Sequence, residues 1–198
     1  MGAIFMEIFS KSHIRNFIFQ IKKNYSCEVL KDLSFQICKQ IEELSLYKKA
    51  KTIAFYFAKN KEVSLKYLIG KAFLENKKVF LPKTWIKEKT LTFHQIFSFA
   101  DLKPGPFNLL EPPSKNPELK PKYFEIIFVP GVAFDFEKGR IGYGGGFYDK
   151  ILNKTNAFKI GVAFSFQIFK KLPLEKHDQK VDIIITERGV INGLEESN

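Results

Sequence analysis

Val129-Pro130-Gly131-Val132-Ala133-Phe134-Asp135, followed by Gly139-Arg140-Ile141-Gly142-Tyr143-Gly144-Gly145-Gly146-Phe147-Tyr148-Asp149, is the stretch from which this 198-residue chain is best read. The mostly apolar run Glu125 to Val129 before it suits a strand buried on both faces of a sheet. Pro130 ends that strand. Five glycines then fall within residues 139–146, and a polar-apolar pattern resumes afterwards as a helix. Glycines at that density let backbone N–H groups approach an anion, and the next helix adds the positive end of its dipole. Arg140 supplies a planar fork for phosphate oxygens. No Gly-Lys-Ser/Thr follows and no GxGxxG spacing occurs, so this is neither a Walker A loop nor a dinucleotide turn. The residues specify a phosphate cradle of unnamed type, with a flexible turn and an incidental arginine as the plainer alternative.

Outward from this run the chain alternates. Ile14, Phe17, Ile18 and Ile21 mark one face of a first helix, Leu30, Leu33, Ile37, Ile41 and Leu44 a second, and Leu65, Leu68, Ile69 and Ala72 a third. Strand-like runs cover Thr52 to Phe57, Lys78 to Pro82, Thr90 to Ile96, Glu125 to Val129, Phe158 to Phe164 and Asp182 to Thr186. Helices alternating with buried strands predict an α/β fold with a mostly parallel sheet covered on both sides. Pro104 to Pro121 holds six of the nine prolines, which excludes a helix or a central strand there. It reads as a long ordered loop crossing a ligand cleft. The length suits one domain, 1–198.

Composition narrows the function classes. Net charge is +11 and almost wholly lysine, because the arginines are only Arg15, Arg140 and Arg188. Such a balance fits nucleic acid, anionic membrane or small polyanions, or simply a solvated lysine surface. No helix-turn-helix, RNP or zinc signature accompanies the charge, and the basic residues are dispersed rather than striped. Nucleic acid and membrane are therefore not expected partners. Cys27 and Cys38 form no CxxC pair and read as core fillers of a reducing compartment. The opening residues lack a basic n-region and a small-residue cleavage site, and no apolar run is long enough to span a bilayer. The expectation is a cytoplasmic monomer. No Ser-His-Asp or Cys-His arrangement is present to serve as a nucleophilic centre.

The run from Pro130 to Asp149 resembles the signature of the 5-formyltetrahydrofolate cyclo-ligases: PGVAFD, a spacer, then Gly-Arg-apolar-Gly-x-Gly-Gly-Gly-aromatic-Tyr-Asp. The resemblance extends to Lys11 and Arg15, to Lys61-Glu62-Val63, to Lys78-Val79-Phe80-Leu81-Pro82, to Glu111-Pro112-Pro113, and to Leu172 through Asp178 with Val181-Asp182 and Thr186-Glu187. Phe147 stands where Tyr is common, and Phe107 where some members carry Trp. Residues 1–9 look like an N-terminal extension without a family counterpart. The resemblance implies a three-layer α/β/α sandwich of the NagB, ribose-5-phosphate isomerase and CoA-transferase group. It also implies an enzyme that uses ATP and Mg²⁺ to close 5-formyltetrahydrofolate into 5,10-methenyltetrahydrofolate. The formyl oxygen is phosphorylated, N10 attacks the activated carbon, and phosphate leaves, which asks for positioning and charge stabilisation rather than a protein nucleophile.

By that resemblance Lys11 and Arg15 reach ATP phosphates, although an i,i+4 basic pair is by itself a solvated helix face. Arg140 with Gly142, Tyr143, Gly144, Gly145, Gly146, Phe147 and Tyr148 holds the nucleotide, with Arg140 and Tyr148 as the catalytic pair. Asp149 and Asp182 hold Mg²⁺, or else cap a helix and begin a strand respectively. Glu62 accepts hydrogen bonds from pterin N–H groups, and Phe57, Phe107, Tyr143 and Phe147 complete the folate pocket. His177 fits a general base and a structural turn residue equally, and stays outside the catalytic set. The alternative is a relative that binds nucleotide, folate or RNA without turnover.

Overall fold

A computed structural model of the chain describes residues 10–59 and 61–193; the proposed extension at 1–9 lies outside the described residues. Three helices come first: α1 (Lys11–Lys23), α2 (Cys27–Glu43) and α3 (Ser45–Lys49). Ser10 and Ser26 cap the first two, each side-chain oxygen accepting from the backbone N–H three residues on, the usual way to satisfy a donor left over at a helix start. Then come β1 (Thr52–Ala54), α4 (Lys66–Leu74), β2 (Lys78–Trp85) and β3 (Thr90–Ile96). The proline-rich stretch contributes the hairpin of β4 (Lys103–Pro104) and β5 (Leu110–Glu111). The remainder is β6 (Ile126–Val129), β7 (Ala133–Asp135), β8 (Arg140–Ile141), α5 (Phe147–Leu152), β9 (Phe158–Val162), β10 (Ile168–Phe169), β11 (Ile183–Thr186) and β12 (Gly189–Ile191).

Seven strands form one sheet in the order β12-β11-β9-β6-β1-β2-β3. The inner five run parallel, and β3 and β12 are antiparallel edges. From β1 the chain first builds outward through β2 and β3, then crosses to the other side of β1 to lay down β6. Ligands in open α/β sheets collect outside the carboxyl ends of the strands where the order reverses. That point here is the crevice between β1 and β6.

The alternation of the strands sorts the core into layers. Ile53, Phe55, Val79, Leu81, Ile126, Phe128, Ile160 and Ile185 face the layer of α2 and α4. Ala54, Phe80, Ile127, Val129 and Ile184 face the opposite side, where they meet Phe134 and the Ile151 and Leu152 of α5. This second layer is thinner than an even sandwich requires. Besides the short α5 it holds a three-stranded sheet, β10-β7-β8, on which α1 packs through Ile14 and Ile18 against Val132, Ala133 and Ile141. The sequence expectation passed from the strand ending at Pro130 directly to the glycine cluster; the structure inserts the hairpin β7–β8 there, and the glycine turn then leads into α5 as expected. Asp135 fixes its turn, its buried carboxylate accepting from the Gly139 N–H at 2.7 Å and the Leu172 N–H at 2.9 Å.

The two layers meet tightly at Gly161 on β9. A Cβ added there would lie 2.7 Å from the Phe134 ring and 3.1 Å from the Val181 side chain. Both neighbours are buried and cannot swing away. Gly161→Ala is expected to cost about 1–3 kcal/mol of stability by overpacking, read as a lowered midpoint in denaturant unfolding. An unchanged midpoint would show that this interlayer contact yields freely.

Candidate active site

A cleft of about 750 Å³ opens at the carboxyl ends of β1 and β6. One wall is the glycine-rich turn. Arg140, on β8, is 3% exposed and threads beneath the turn. Its guanidinium donates to the Asp149 carboxylate at 2.6 Å and to the Pro130 carbonyl at 3.2 Å, and it lies over the Tyr148 ring, 6.0 Å from the centroid. Gly144 and Gly146 have φ of 103° and 66°, left-handed values that suit glycine and let the turn reverse above the arginine. Arg15 reaches in from α1, its Nε donating to the Gly142 carbonyl at 2.8 Å. One turn earlier Lys11 pairs with Asp178 and with Glu175 at 3.0 Å. Burial opposes the charge of Lys11, but these two carboxylates outweigh it and raise the ammonium above its ordinary range.

The facing wall begins just beyond β1. Tyr56 is anchored by donating to the Val63 carbonyl at 2.7 Å. Glu62 accepts from the Lys59 N–H at 2.6 Å, and the Tyr143 hydroxyl lies against the same carboxylate. Burial raises the Glu62 carboxyl above its ordinary range; Tyr143, the Lys59 N–H and the charges of Lys22 and Lys59 offset only part of that. Burial together with the Glu62 charge likewise raises Tyr148, against the opposing pull of Arg140. Tyr148 thus enters the cleft as a hydroxyl able to donate. Phe57, Phe107 and Phe147 line the same space. Phe107 sits at the tip of the β4–β5 hairpin with φ of 58°, and the Lys59 ammonium lies 5.7 Å from its ring centroid.

All but one of the site residues read from the sequence line this cleft. The exception is Asp182. It stands immediately before β11, at the amino-terminal end of the parallel strands, whereas the cleft opens at their carboxyl ends. Its Oδ2 accepts from the Lys159 backbone N–H at 2.7 Å, the role of a strand-start residue. The metal-ligand set read from the sequence is corrected accordingly: Asp149 faces the cleft and Asp182 does not.

Other residues enter that the sequence reading gave no role. Glu111 and Asp178 line the cleft; His177, which the sequence left between a general base and a turn residue, lines it too with its ring largely exposed. Lys61, with φ of 58°, caps the end of α1 by donating to the carbonyls of Lys22 and Tyr25, each at 2.8 Å. It thereby ties the Glu62 loop to the helix that carries Lys11 and Arg15. A Lys next to a glutamate gives no local signal of this, because its partners lie more than thirty residues away. Glu111-Pro112-Pro113 did give one, since a carboxylate in a proline-rich loop over a cleft is a ligand candidate.

The fold and cleft define an α/β protein in which an arginine-bearing glycine turn faces an aromatic, carboxylate-bearing pocket. The 5-formyltetrahydrofolate cyclo-ligase family matches residues 7–187. A probable 5-formyltetrahydrofolate cyclo-ligase of Schizosaccharomyces pombe is 32% identical, covering 84% of this chain and 89% of its own. The Haemophilus influenzae 5-formyltetrahydrofolate cyclo-ligase is 30% identical over 88% and 97%. Among solved structures, the Aquifex aeolicus 5,10-methenyltetrahydrofolate synthetase superposes with a TM-score of 0.83 at 33% identity, covering 95% of this chain and 97% of its own. The chain belongs to the 5-formyltetrahydrofolate cyclo-ligase family and is a ligase of folate one-carbon metabolism.

Because burial raises Glu62, its proton is held more tightly in the folded chain than in the unfolded one. Folding stability attributable to Glu62 therefore falls as pH rises from the unfolded carboxyl value of about 4.3 through the raised folded value. Glu62→Gln removes that dependence. The stability of wild type relative to the variant, from denaturant unfolding at pH 4 to 8, should decline as pH increases. A difference that stays flat or grows would place Glu62 in a polar environment instead.

Proposed function

We propose that the chain catalyses ATP- and Mg²⁺-dependent closure of 5-formyltetrahydrofolate to 5,10-methenyltetrahydrofolate, releasing ADP and phosphate. The observation that carries this reading is that one cleft joins a phosphate cradle, built of Arg140, Arg15, Lys11 and the glycine turn, to an aromatic pocket containing Glu62. A phosphoryl donor and a formyl acceptor held in such continuity react as if within one molecule. The γ-phosphoryl passes from ATP to the formyl oxygen, breaking the bond to ADP. N10 of the same folate then attacks the formyl carbon and gives up its proton, and the carbon–oxygen bond breaks as phosphate departs with the formyl oxygen.

The chain's own residues supply the setting for these steps. The guanidiniums of Arg15 and Arg140 and the turn N–H groups stabilise charge on the moving phosphoryl group. Tyr148 donates toward the formyl or phosphoryl oxygens, and Glu62 accepts pterin N–H groups, orienting N10 toward the formyl carbon. Asp149 suits Mg²⁺. Its Oδ1 accepts from Arg140 and, at 3.4 Å, from the Gln179 N–H, while Oδ2 has no protein donor among the described residues. No group of three or more His, Cys, Asp or Glu among those residues could hold a metal alone; an ion there would draw its other ligands from phosphates and water, as Mg²⁺ commonly does. When bound, the ion supplies neutralisation of phosphate charge.

Growth of the methenyl-folate absorbance band with ATP, Mg²⁺ and 5-formyltetrahydrofolate tests the net reaction. With ¹⁸O in the formyl group the label should appear in inorganic phosphate, whereas label in water or a phosphorylated protein would sink this mechanism. In the same assay Asp149→Asn should raise the Mg²⁺ requirement about tenfold or more, the scale of losing a charge-assisted contact, while Asp182→Asn should leave it unchanged. An equal effect from both would return Asp182 to the metal site.

A further inference from the structure

Among the described residues, three buried side-chain atoms lack a hydrogen-bond partner: Arg140 Nε, the Tyr148 hydroxyl and Glu111 Oε2. All three residues line the one cleft. Buried polar groups are normally satisfied, so an orphan at a cleft calls for a ligand. Arg140 and Tyr148 already have roles in the proposed reaction; Glu111 has none. Its residue is 3% exposed. Oε1 accepts from the Thr84 N–H of β2 at 3.1 Å. The nearest cation, Lys83, stands 4.0 Å from Oε2, beyond hydrogen-bond reach, and donates instead to the Pro112 carbonyl. Gly105 of the hairpin packs over the carboxylate so closely that a Cβ there would lie 2.7 Å from Oε2. Glu62, by contrast, already receives the Lys59 N–H, with the Tyr143 hydroxyl beside it.

We propose that Glu111 is a second folate-recognition residue, whose carboxylate accepts N–H donors from the pterin head group. This rests on the cyclo-ligase reading above. A carboxylate is an acceptor only. The pterin sets its 2-amino group beside the N3–H, donor next to donor, which matches. Adenine sets its amino group beside ring-nitrogen acceptors, which would confront Glu111 with like partial charge. Glu111 is also anchored to β2 rather than to the glycine turn. The β4–β5 hairpin that carries it therefore acts as a specificity element: Phe107 supplies an apolar face and Glu111 a polar stop.

The test is titration calorimetry of the whole chain with 5-formyltetrahydrofolate and, separately, with a non-hydrolysable ATP analogue. Glu111→Gln should weaken folate about tenfold or more, the loss expected of a charge-assisted hydrogen bond, with the ATP analogue held within about twofold. Losing the 2-amino group of the folate and mutating Glu111 should be non-additive, as for two halves of one contact. Should Glu111→Gln fail to fold, Gly105→Ala addresses the same carboxylate by pushing on Oε2, with the same folate-selective loss expected. Unchanged folate affinity in the folded variant overturns the proposal, and so does weakening confined to the ATP analogue, which would give the carboxylate to adenine. A wild-type chain that forms no methenyl-folate would sink the cyclo-ligase reading itself, an outcome distinct from an active enzyme indifferent to Glu111.

Discussion

The buried guanidinium of Arg140 is the constraint around which the site is arranged. A charge that is 3% exposed is tolerated only when paired and hydrogen-bonded. Its partners are the Asp149 carboxylate from α5 and the carbonyl at the end of β6. The end of the central strand, the β7–β8 hairpin and the start of α5 must therefore be in place together. The glycine turn passes over this knot because Gly142 leaves room for it and Gly144 and Gly146 take the left-handed φ values that the reversal needs. At Gly142 the room is literal: a Cβ would stand 2.8 Å from the guanidinium.

Helix α1 extends the same constraint across the cleft. Near its start it sends Arg15 to the Gly142 carbonyl and Lys11 to Asp178. At its end it is clamped by Lys61, next to Glu62 in the chain. The glycine-turn wall and the carboxylate wall are thus tied to the two ends of one rod of 13 residues, about 20 Å long at 1.5 Å per residue. A reaction that works by holding two substrates in register benefits from walls that cannot drift apart.

The electrostatics divide along the same line. Lys11, Arg15 and Arg140 gather where a polyanion would lie. Glu62 and Glu111 stand where donors would lie, among Tyr56, Tyr143, Tyr148 and Phe107. Burial around Glu62 raises its own carboxyl and the two neighbouring tyrosine hydroxyls together, so that those hydroxyls remain neutral donors. The proposed reaction works by charge placement and asks for no protein nucleophile.

The chain's local order sufficed for much of this. The 3.6-residue periodicity of Ile14, Ile18, Leu30, Ile37 and Ile41, the apolar runs of the buried strands, and the strand-glycine-arginine-aspartate series from Val129 to Asp149 are near-neighbour patterns, and the α/β class and the arginine-bearing glycine turn at the cleft follow from them. Long-range placement was not available in that way. Arg15 and Gly142 are 127 residues apart, and spacing cannot say that they touch. Asp149 and Asp182 look alike as carboxylates beside apolar runs. One comes after the carboxyl end of β6, in α5, and reaches the cleft; the other precedes β11 and lies at the opposite, amino-terminal end of the parallel strands. Glu111 has one donor, the Thr84 N–H, and a second oxygen without one only because the hairpin packs Gly105 over it. In each case the deciding quantity is the direction in which a strand or hairpin delivers a side chain, which is set by the pairing of segments distant in the chain.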